Sequence, residues 1–320
     1  MELSALIKNK IEEYDTIIIH RHVSPDGDAI GSTLGLREIL RDNYPNKHIY
    51  SAGDDIPEYL QFVGEEDEVS DDKYNGALVI SVDTADKRRI ANSNFEKAKE
   101  IIKIDHHIPV EDFGCINYVK ETYGSCSLVI YELAKLCNYS ISKTAARYLY
   151  IAVVTDTGRF RYSEVDGYCL QLSGELLDFG VDTDDIYAHL YTKEKEVYSL
   201  TAYVYSHIKY TPSGVAYFYM SRRIMKKFNV SLEDASNCVN LMDSIKGTLI
   251  WALFIEREDK IRIRFRSRFV TVSEIANRYE GGGHANAAGG TIYNKKDIKK
   301  VLKDLDDRHA TFKNENGDKF

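Results

Sequence analysis

Four short segments of this 320-residue chain carry acids and histidines at spacings that could hold metal ions. The first is His22-Val23-Ser24-Pro25-Asp26-Gly27-Asp28, an imidazole and two carboxylates close together. In the second, Val79-Ile80-Ser81-Val82-Asp83, an apolar run ends in an acid; in the third, Ile104-Asp105-His106-His107, another does so. The fourth is Thr155-Asp156, after the apolar Ala152-Val153-Val154. Each has a plain structural explanation: Pro-Asp-Gly is good turn chemistry, and a lone Asp after a helical run can cap or form an ion pair. An EF-hand fails, because counting from Asp26 its fifth and twelfth positions are Ile30 and Arg37, which offer no suitable oxygen. Taken together, four carboxylates and the histidines match a two-metal site for hard to borderline ions such as manganese. Two ions roughly 3.5 to 4 Å apart can share a hydroxide and clamp an in-line displacement at phosphorus.

Asp26, Asp28, Asp83 and Asp156 would only just be neutralised by two divalent ions, so an anionic substrate needs further cations. Lys260-Ile261-Arg262-Ile263-Arg264-Phe265-Arg266-Ser267-Arg268 alternates cations with mostly apolar residues, and a strand would put every cation on one face. A solvated outer face explains most of them; one or two are expected to meet phosphate, for which the arginine fork is suited. Downstream lies Gly281-Gly282-Gly283-His284-Ala285-Asn286-Ala287-Ala288-Gly289-Gly290, a run that reads as too small and flexible to be chosen for packing. It is either a tight turn or, with His284 and the basic strand, a phosphate or nucleotide pocket. No Gly-Lys-Ser/Thr follows, so it is not a Walker loop.

The elements that must position these residues are strand-like runs at Thr16 to His20, Ile49 to Ala52, Ala77 to Val82 and Ile101 to Ile104. Helical spacing at Ala29 to Leu40 and Cys126 to Cys137 predicts alternating strand and helix, hence a parallel sheet covered on both faces, with ligands beyond the strands' carboxyl ends. Thr144 to Val154, Gly167 to Phe179 and Glu194 to His207 read as helices. Strands return at Val215 to Met220, Thr248 to Glu256 and Lys260 to Phe269, with helices near Arg222 to Phe228 and Asp297 to Leu305. The fold class is α/β in two domains: a parallel-sheet domain at 1–190, a helical linker at 191–210 and a smaller α/β domain at 211–320, with an interdomain cleft. Lys313 to Phe320 reads as a polar, fraying tail.

Composition narrows the class. An apolar share of 43% with 29% charged residues fits a globular chain, and the net charge of -8 disfavours coating long nucleic acid such as DNA. The longest apolar run, Leu249 to Ile255, falls far short of a membrane span, and no signal peptide is evident, so a cytoplasmic protein is expected. Five scattered cysteines without a Cys-x-x-Cys pair argue against disulfides and thiolate zinc and read as small buried hydrophobes.

His22-x-x-x-Asp26-x-Asp28, Val82-Asp83, Asp105-His106-His107 and Thr155-Asp156 resemble the four motifs of the DHH phosphoesterase superfamily. The arginine strand and Gly282-Gly283-His284 resemble the DHH-associated C-terminal domain, so the likeness spans nearly the full chain. Within that superfamily the layout is similar to the bacterial oligoribonucleases that also act as pAp phosphatases. Carried over by motif position, the resemblance implies that His22 and Asp26 hold one manganese, Asp28, His106 and Asp156 the other, and Asp83 bridges. His107 would face the substrate phosphate, and Arg266 and His284 with Gly282 and Gly283 would hold the nucleotide. Arg159, Arg264 and Ser32 are further candidates, and Ala285 departs from the proline frequent there in relatives, which bears on loop shape.

The activity implied is manganese-dependent hydrolysis of short oligoribonucleotides, including pApA-type dinucleotides, to mononucleotides, from either end, and of pAp to AMP and phosphate. Asp83 and His107 are the catalytic candidates. Alternatives are a pyrophosphatase or polyphosphatase of the same superfamily and a non-catalytic nucleotide-binding regulator; a homodimer is left open.

Overall fold

Short runs of Ile, Leu and Val, too brief for helices and stiff at Cβ, form five parallel strands: β1 (Thr16–His20), β2 (His48–Ala52), β3 (Leu78–Val82), β4 (Glu100–Asp105) and β5 (Ile116–Val119), ordered β2-β1-β3-β4-β5. In this computed structural model, which describes residues 2–53, 55–162 and 164–317, the chain divides between Thr192 and Lys193 into two units. The first also holds α1 (Leu3–Glu13), α2 (Gly27–Asn43), α3 (Cys126–Leu136), α4 (Lys143–Asp156), α5 (Gly167–Leu177) and α6 (Thr183–Tyr191). Ile17, Ile19, Leu78, Ile80, Ile102 and Ile104 share one buried cluster with α1 to α6. On the opposite face, Ile18 and Val79 pack with Tyr74, Ile90 and Phe95.

The expected alternation of strand and helix is met only between β1 and β2. The links to β3 and β4 carry 3-10 turns, Asp71–Tyr74 and Ser93–Lys97 among them, because those segments are too polar and broken to form an apolar helical stripe. Also unforeseen were α1, α6 and the half-buried edge strand β5.

Packing of α2 on α4 is set by glycines at helical spacing. A Cβ on Gly31 would lie 2.5 Å from the Tyr148 carbonyl oxygen, and one on Gly27 2.4 Å from Thr155 Oγ1. With only hydrogen at these positions the helix backbones approach closely, which draws Asp28 on α2 toward Asp156 at the end of α4.

The second unit contains α7 (Lys195–His207), β6 (Lys209–Tyr210), β7 (Ala216–Met220), α8 (Arg222–Phe228), α9 (Leu232–Asn237), β8 (Ile250–Glu256), β9 (Ile261–Ser267), α10 (Ser273–Asn277), β10 (Gly282–Gly283), β11 (Ala287–Ile292) and α11 (Ile298–Asn316). Its sheet runs β10-β11-β9-β8-β7-β6, with β7 and β8 parallel and the other pairs antiparallel. Ile261, Ile263 and Phe265 bury one face against Val301 and Leu305 of α11. Trp251, Leu253 and Ile255 bury the other against Leu200 and Val204 of α7, so the helix read as a linker packs as part of this unit.

The glycine run is a hairpin, β10 to β11, which agrees with the tight-turn reading but shows that, contrary to expectation, its small residues do serve packing. Ala288 and Gly290 are buried, and a Cβ on Gly281 would meet the Gly289 carbonyl oxygen at 1.9 Å. Small residues are thus chosen here for backbone approach within the sheet. The tail expected from Lys313 is helical to Asn316, with Phe312 packed against the core; residues 318–320 lie outside the described part. Four cysteines are buried as read, but Cys115 is exposed.

Candidate metal centre

His22, Asp83, His106 and His107 all follow the carboxyl ends of the central strands β1, β3 and β4, where a parallel sheet leaves its loops free to carry functional groups. Asp26 and Asp28 open α2, and Asp156 closes α4. Three groups result in which the donor atoms all lie within 4.8 Å of one another: His22, Asp26 and Asp83; Asp83, His106 and His107; Asp28, His106 and Asp156. All six of the expected metal ligands, together with His107, are therefore in one place.

The contacts leave spaces between the side chains that could hold a cation. His22 Nε2 lies 3.5 Å from Asp83 Oδ2 and 3.9 Å from Asp26 Oδ2. His106 Nε2 lies 3.3 Å from Asp156 Oδ2, 3.5 Å from Asp83 Oδ1 and 3.6 Å from Asp28 Oδ2. Donors each about 2.1 Å from a shared ion stand roughly 3.0 to 3.5 Å apart, so these spacings suit a cation better than direct hydrogen bonds. Asp83 Oδ1 is buried without a hydrogen-bond partner among the described residues, an acceptor left over for a cation. Both rings are oriented from behind: His22 Nδ1 bonds the Val23 carbonyl at 2.9 Å and His106 Nδ1 the Tyr123 carbonyl at 2.9 Å. A ring that donates from Nδ1 presents its Nε2 lone pair, here to the carboxylates, which is the tautomer a metal requires. The residues fit divalent ions of the oxygen- and imidazole-binding kind.

Electrostatics point the same way. Burial, then the charge of Asp28, pushes the Asp156 carboxyl up to about 9, and burial with the Asp83 charge pushes Asp28 up to about 6. Burial would lower the His106 imidazole, but Asp83, Asp28 and Asp156 outweigh it and raise it to about 11. Asp83 goes the other way: burial would raise it, yet the imidazoles of His106 and His22 hold it well below the usual carboxylate range. Buried negative charge in such excess calls for cations.

Each carboxylate is held differently. Asp26 is half exposed and caps α2, its Oδ1 accepting from the N–H groups of Asp28 and Ala29 at 3.1 and 3.0 Å, so the turn explanation and the ligand role coexist. Asp83 sits at φ +52, a left-handed backbone unusual outside glycine, which turns its side chain from the strand end into the cluster. Asp28 accepts from Ser32 Oγ at 2.8 Å, Ser125 Oγ at 2.9 Å and the Cys126 N–H at 2.7 Å, at the N-terminus of α3. Ser32, a candidate for nucleotide binding, is fully buried and supports Asp28 instead.

Sequence reasoning missed Ser125, Cys126 and the pair behind His107. Asp105 Oδ1 accepts from His107 Nδ1 at 2.8 Å, and Asp105 Oδ2 faces the buried Lys103 ammonium at 3.4 Å. A lone lysine within the apolar run Ile101-Ile102-Lys103-Ile104 was the available signal.

Arg159, exposed three residues past Asp156, rests its guanidinium 4.3 Å from the ring centroid of Tyr191. The other candidates gather at one end of the second sheet: Arg266 lies across from Ala287, Arg264 across from Gly289, and Gly282 pairs with Gly289. Arg264 and His284 are exposed, and Gly283 at φ +138 admits no Cβ, which would lie 2.6 Å from the Ala287 carbonyl oxygen.

A parallel sheet with this acid and histidine constellation, followed by a mixed-sheet unit, defines a metal-type phosphoesterase. The chain belongs to the DHH family: residues 16–153 match the "DHH family, N-terminal domain" model and residues 213–311 the "DHHA1 domain" model. It is 36% identical over 299 residues, 92% of this chain and 95% of the relative, to the "Bifunctional oligoribonuclease and PAP phosphatase NrnA" of Bacillus subtilis. The "Probable bifunctional oligoribonuclease and PAP phosphatase NrnA" of Streptococcus mutans is 37% identical over 300 residues, 92% of this chain and 96% of the relative. An exopolyphosphatase-related protein of Bacteroides fragilis shares the fold, with a TM-score of 0.86 at 28% identity over 96% of this chain and 97% of that one. The chain is a phosphoesterase of this family. Among the described residues no helix is long and apolar enough to cross a membrane.

Proposed function

We propose that the protein hydrolyses short oligoribonucleotides, pApA-type dinucleotides included, to mononucleotides, and pAp to AMP and phosphate, in the cytoplasm and with manganese. The observation that carries this reading is the position of Asp83, whose carboxylate belongs to the group of His22 and Asp26 and also to that of His106. One carboxylate between two sets of donors suits a pair of ions: His22 and Asp26 would hold one, Asp28, His106 and Asp156 would hold the other, and Asp83 would serve both. Bound there, the ions would supply Lewis acidity and an activated water. The names of the Bacillus and Streptococcus relatives support the substrate class.

The chain's own groups do the rest. His107, its Nδ1 tied to Asp105, offers Nε2 to a phosphate oxygen or to the leaving oxygen. The Asp105 hydrogen bond raises that imidazole's proton affinity against the opposing effect of burial. Arg266, Arg264, His284 and the backbone of Gly282 and Gly283 bind the nucleotide's phosphate and sugar, and Arg159, three residues past Asp156, adds a cation. A turnover panel of pAp, pApA, longer RNA and pyrophosphate with manganese tests this. Release of AMP from pAp and of mononucleotide from pApA, lost in Asp83→Ala, is expected; no turnover of either would sink the reading. The Bacteroides relative favours a second reading, attack on polyphosphate, which faster phosphate release from polyphosphate than from pAp would establish.

A further inference from the structure

Within the second unit, a groove of about 710 Å³ lies at the end of β9 away from the glycine hairpin. Met225, Val230 and Leu232 form an apolar wall, and Arg257, Lys260 and Arg262 line the groove with cations. Its acids are partly spoken for: Glu256 accepts the Arg222 N–H at 2.9 Å and Glu258 pairs with the Arg222 guanidinium at 3.3 Å, leaving Asp259 exposed at the hairpin turn. Arg257 has no such acid partner among the described residues. Its Nε is buried without a hydrogen bond to any described residue, which leaves that N–H as a donor for an anion. Arg262 is braced, Nη1 donating to Thr291 Oγ1 at 2.7 Å, and points from the same strand face as Arg264 and Arg266.

Spacing connects this groove with the proposed nucleotide site. Alternate residues of a strand are about 7 Å apart, close to the distance between successive phosphates of an extended nucleic-acid strand. Arg266, Arg264 and Arg262 thus form a ladder about 13 Å long from hairpin to groove. Burial, then mutual repulsion with Arg262, lowers the proton affinity of both Arg257 and Arg264, although Glu233 opposes this at Arg264.

We propose that this groove is a second nucleotide subsite, in which Arg257 and Arg262 take a backbone phosphate of a single-stranded oligoribonucleotide while the wall of Met225, Val230 and Leu232 covers its sugar and base. The phosphate bound there lies about two nucleotides from the one at Arg266, so the subsite serves trinucleotides and longer chains and is idle for pAp and dinucleotides. The inference rests on the oligoribonucleotide reading above.

The test is binding of fluorescein-labelled diadenylate and pentaadenylate to the full chain in EDTA, where hydrolysis is stopped. In the double variant Arg257→Ala, Arg262→Ala, pentaadenylate affinity is expected to fall about tenfold, and the log–log salt slope by about 0.7 for the phosphate lost. Diadenylate affinity and turnover of pAp with manganese should stay within twofold of wild type. The charge-keeping variant Arg257→Lys, Arg262→Lys should recover part of the pentaadenylate affinity, and it serves as the probe should the alanine variant melt early. Unaltered pentaadenylate binding, or an equal loss for both lengths, overturns the subsite. A wild-type chain that binds by length in this way yet hydrolyses neither RNA nor pAp would instead overturn the proposed function and leave the subsite standing.

Discussion

Lys103 Nζ stands 3.4 Å from Asp105 Oδ2, two fully buried side chains on the same face of β4, and the other Asp105 oxygen accepts from His107 Nδ1 at 2.8 Å. The ammonium also donates to the carbonyls of Ala85 and Glu111, each at 3.1 Å. A buried cation thereby faces the carboxylate that holds a half-buried histidine. Lys103→Met leaves that carboxylate uncompensated and should cost about 3–5 kcal/mol. For a unit of this size a thermal melt should show Tm lower by about 10 °C.

Asp105→Asn tests the other half of the relay. The Asp105 hydrogen bond raises the His107 proton affinity, with burial opposing it. Without the carboxylate the imidazole loses its proton at lower pH, so the alkaline limb of the kcat/KM profile on pAp should move to lower pH. An unmoved limb would mean that His107 does not titrate in the reaction.

Stability of the metal-free protein should fall as pH rises. Asp156 goes from an ordinary 3.8 to about 9 on folding and His106 from 6.5 to about 11, so the folded chain binds more protons than the unfolded one across the window from about 4 to 11. The stabilisation is fully present below the unfolded values and is lost as pH climbs through the folded ones. The lowered Asp83 acts in the opposite sense only in acid, as pH falls below the ordinary carboxylate value. Melts in EDTA should therefore show Tm declining from pH 6 to 9, and added manganese should raise it most at the alkaline end, because the ion must displace those protons.

Gly31→Val should separate the two helices that carry Asp28 and Asp156. Its Cβ would lie 2.5 Å from the Tyr148 carbonyl oxygen and 2.8 Å from Ala152 Cβ, both on α4. Overpacking of this kind costs about 1–3 kcal/mol. Loss of manganese affinity beyond that of an equally destabilised core variant, read by calorimetry, would show that helix spacing governs the site.

Ser125→Ala removes both the cap of α3 and a donor to Asp28. The lost cap should cost about 1 kcal/mol. Manganese affinity should fall about 10- to 100-fold, as for other residues that orient a ligand.

The acids and histidines at the ends of β1, β3 and β4 were legible from sequence because a short apolar run that stops in Asp or His has one place to put it, the carboxyl edge of a parallel sheet. The arginine ladder was legible for a similar reason, since period-two alternation assigns faces directly. The helical connections were less so: local polarity between β2 and β4 left 3-10 turns where helices were expected. Sequence alone therefore determined which residue types gather, and at which edge. Only the tertiary structure decided how each is held: Asp28 in the grip of Ser125 and Cys126 from nearly a hundred residues away, His107 backed by a buried lysine, and α2 against α4 at glycine distance. Those contacts depend on the packing of elements remote in the chain, and a local periodicity records which face a residue takes but not what meets it there.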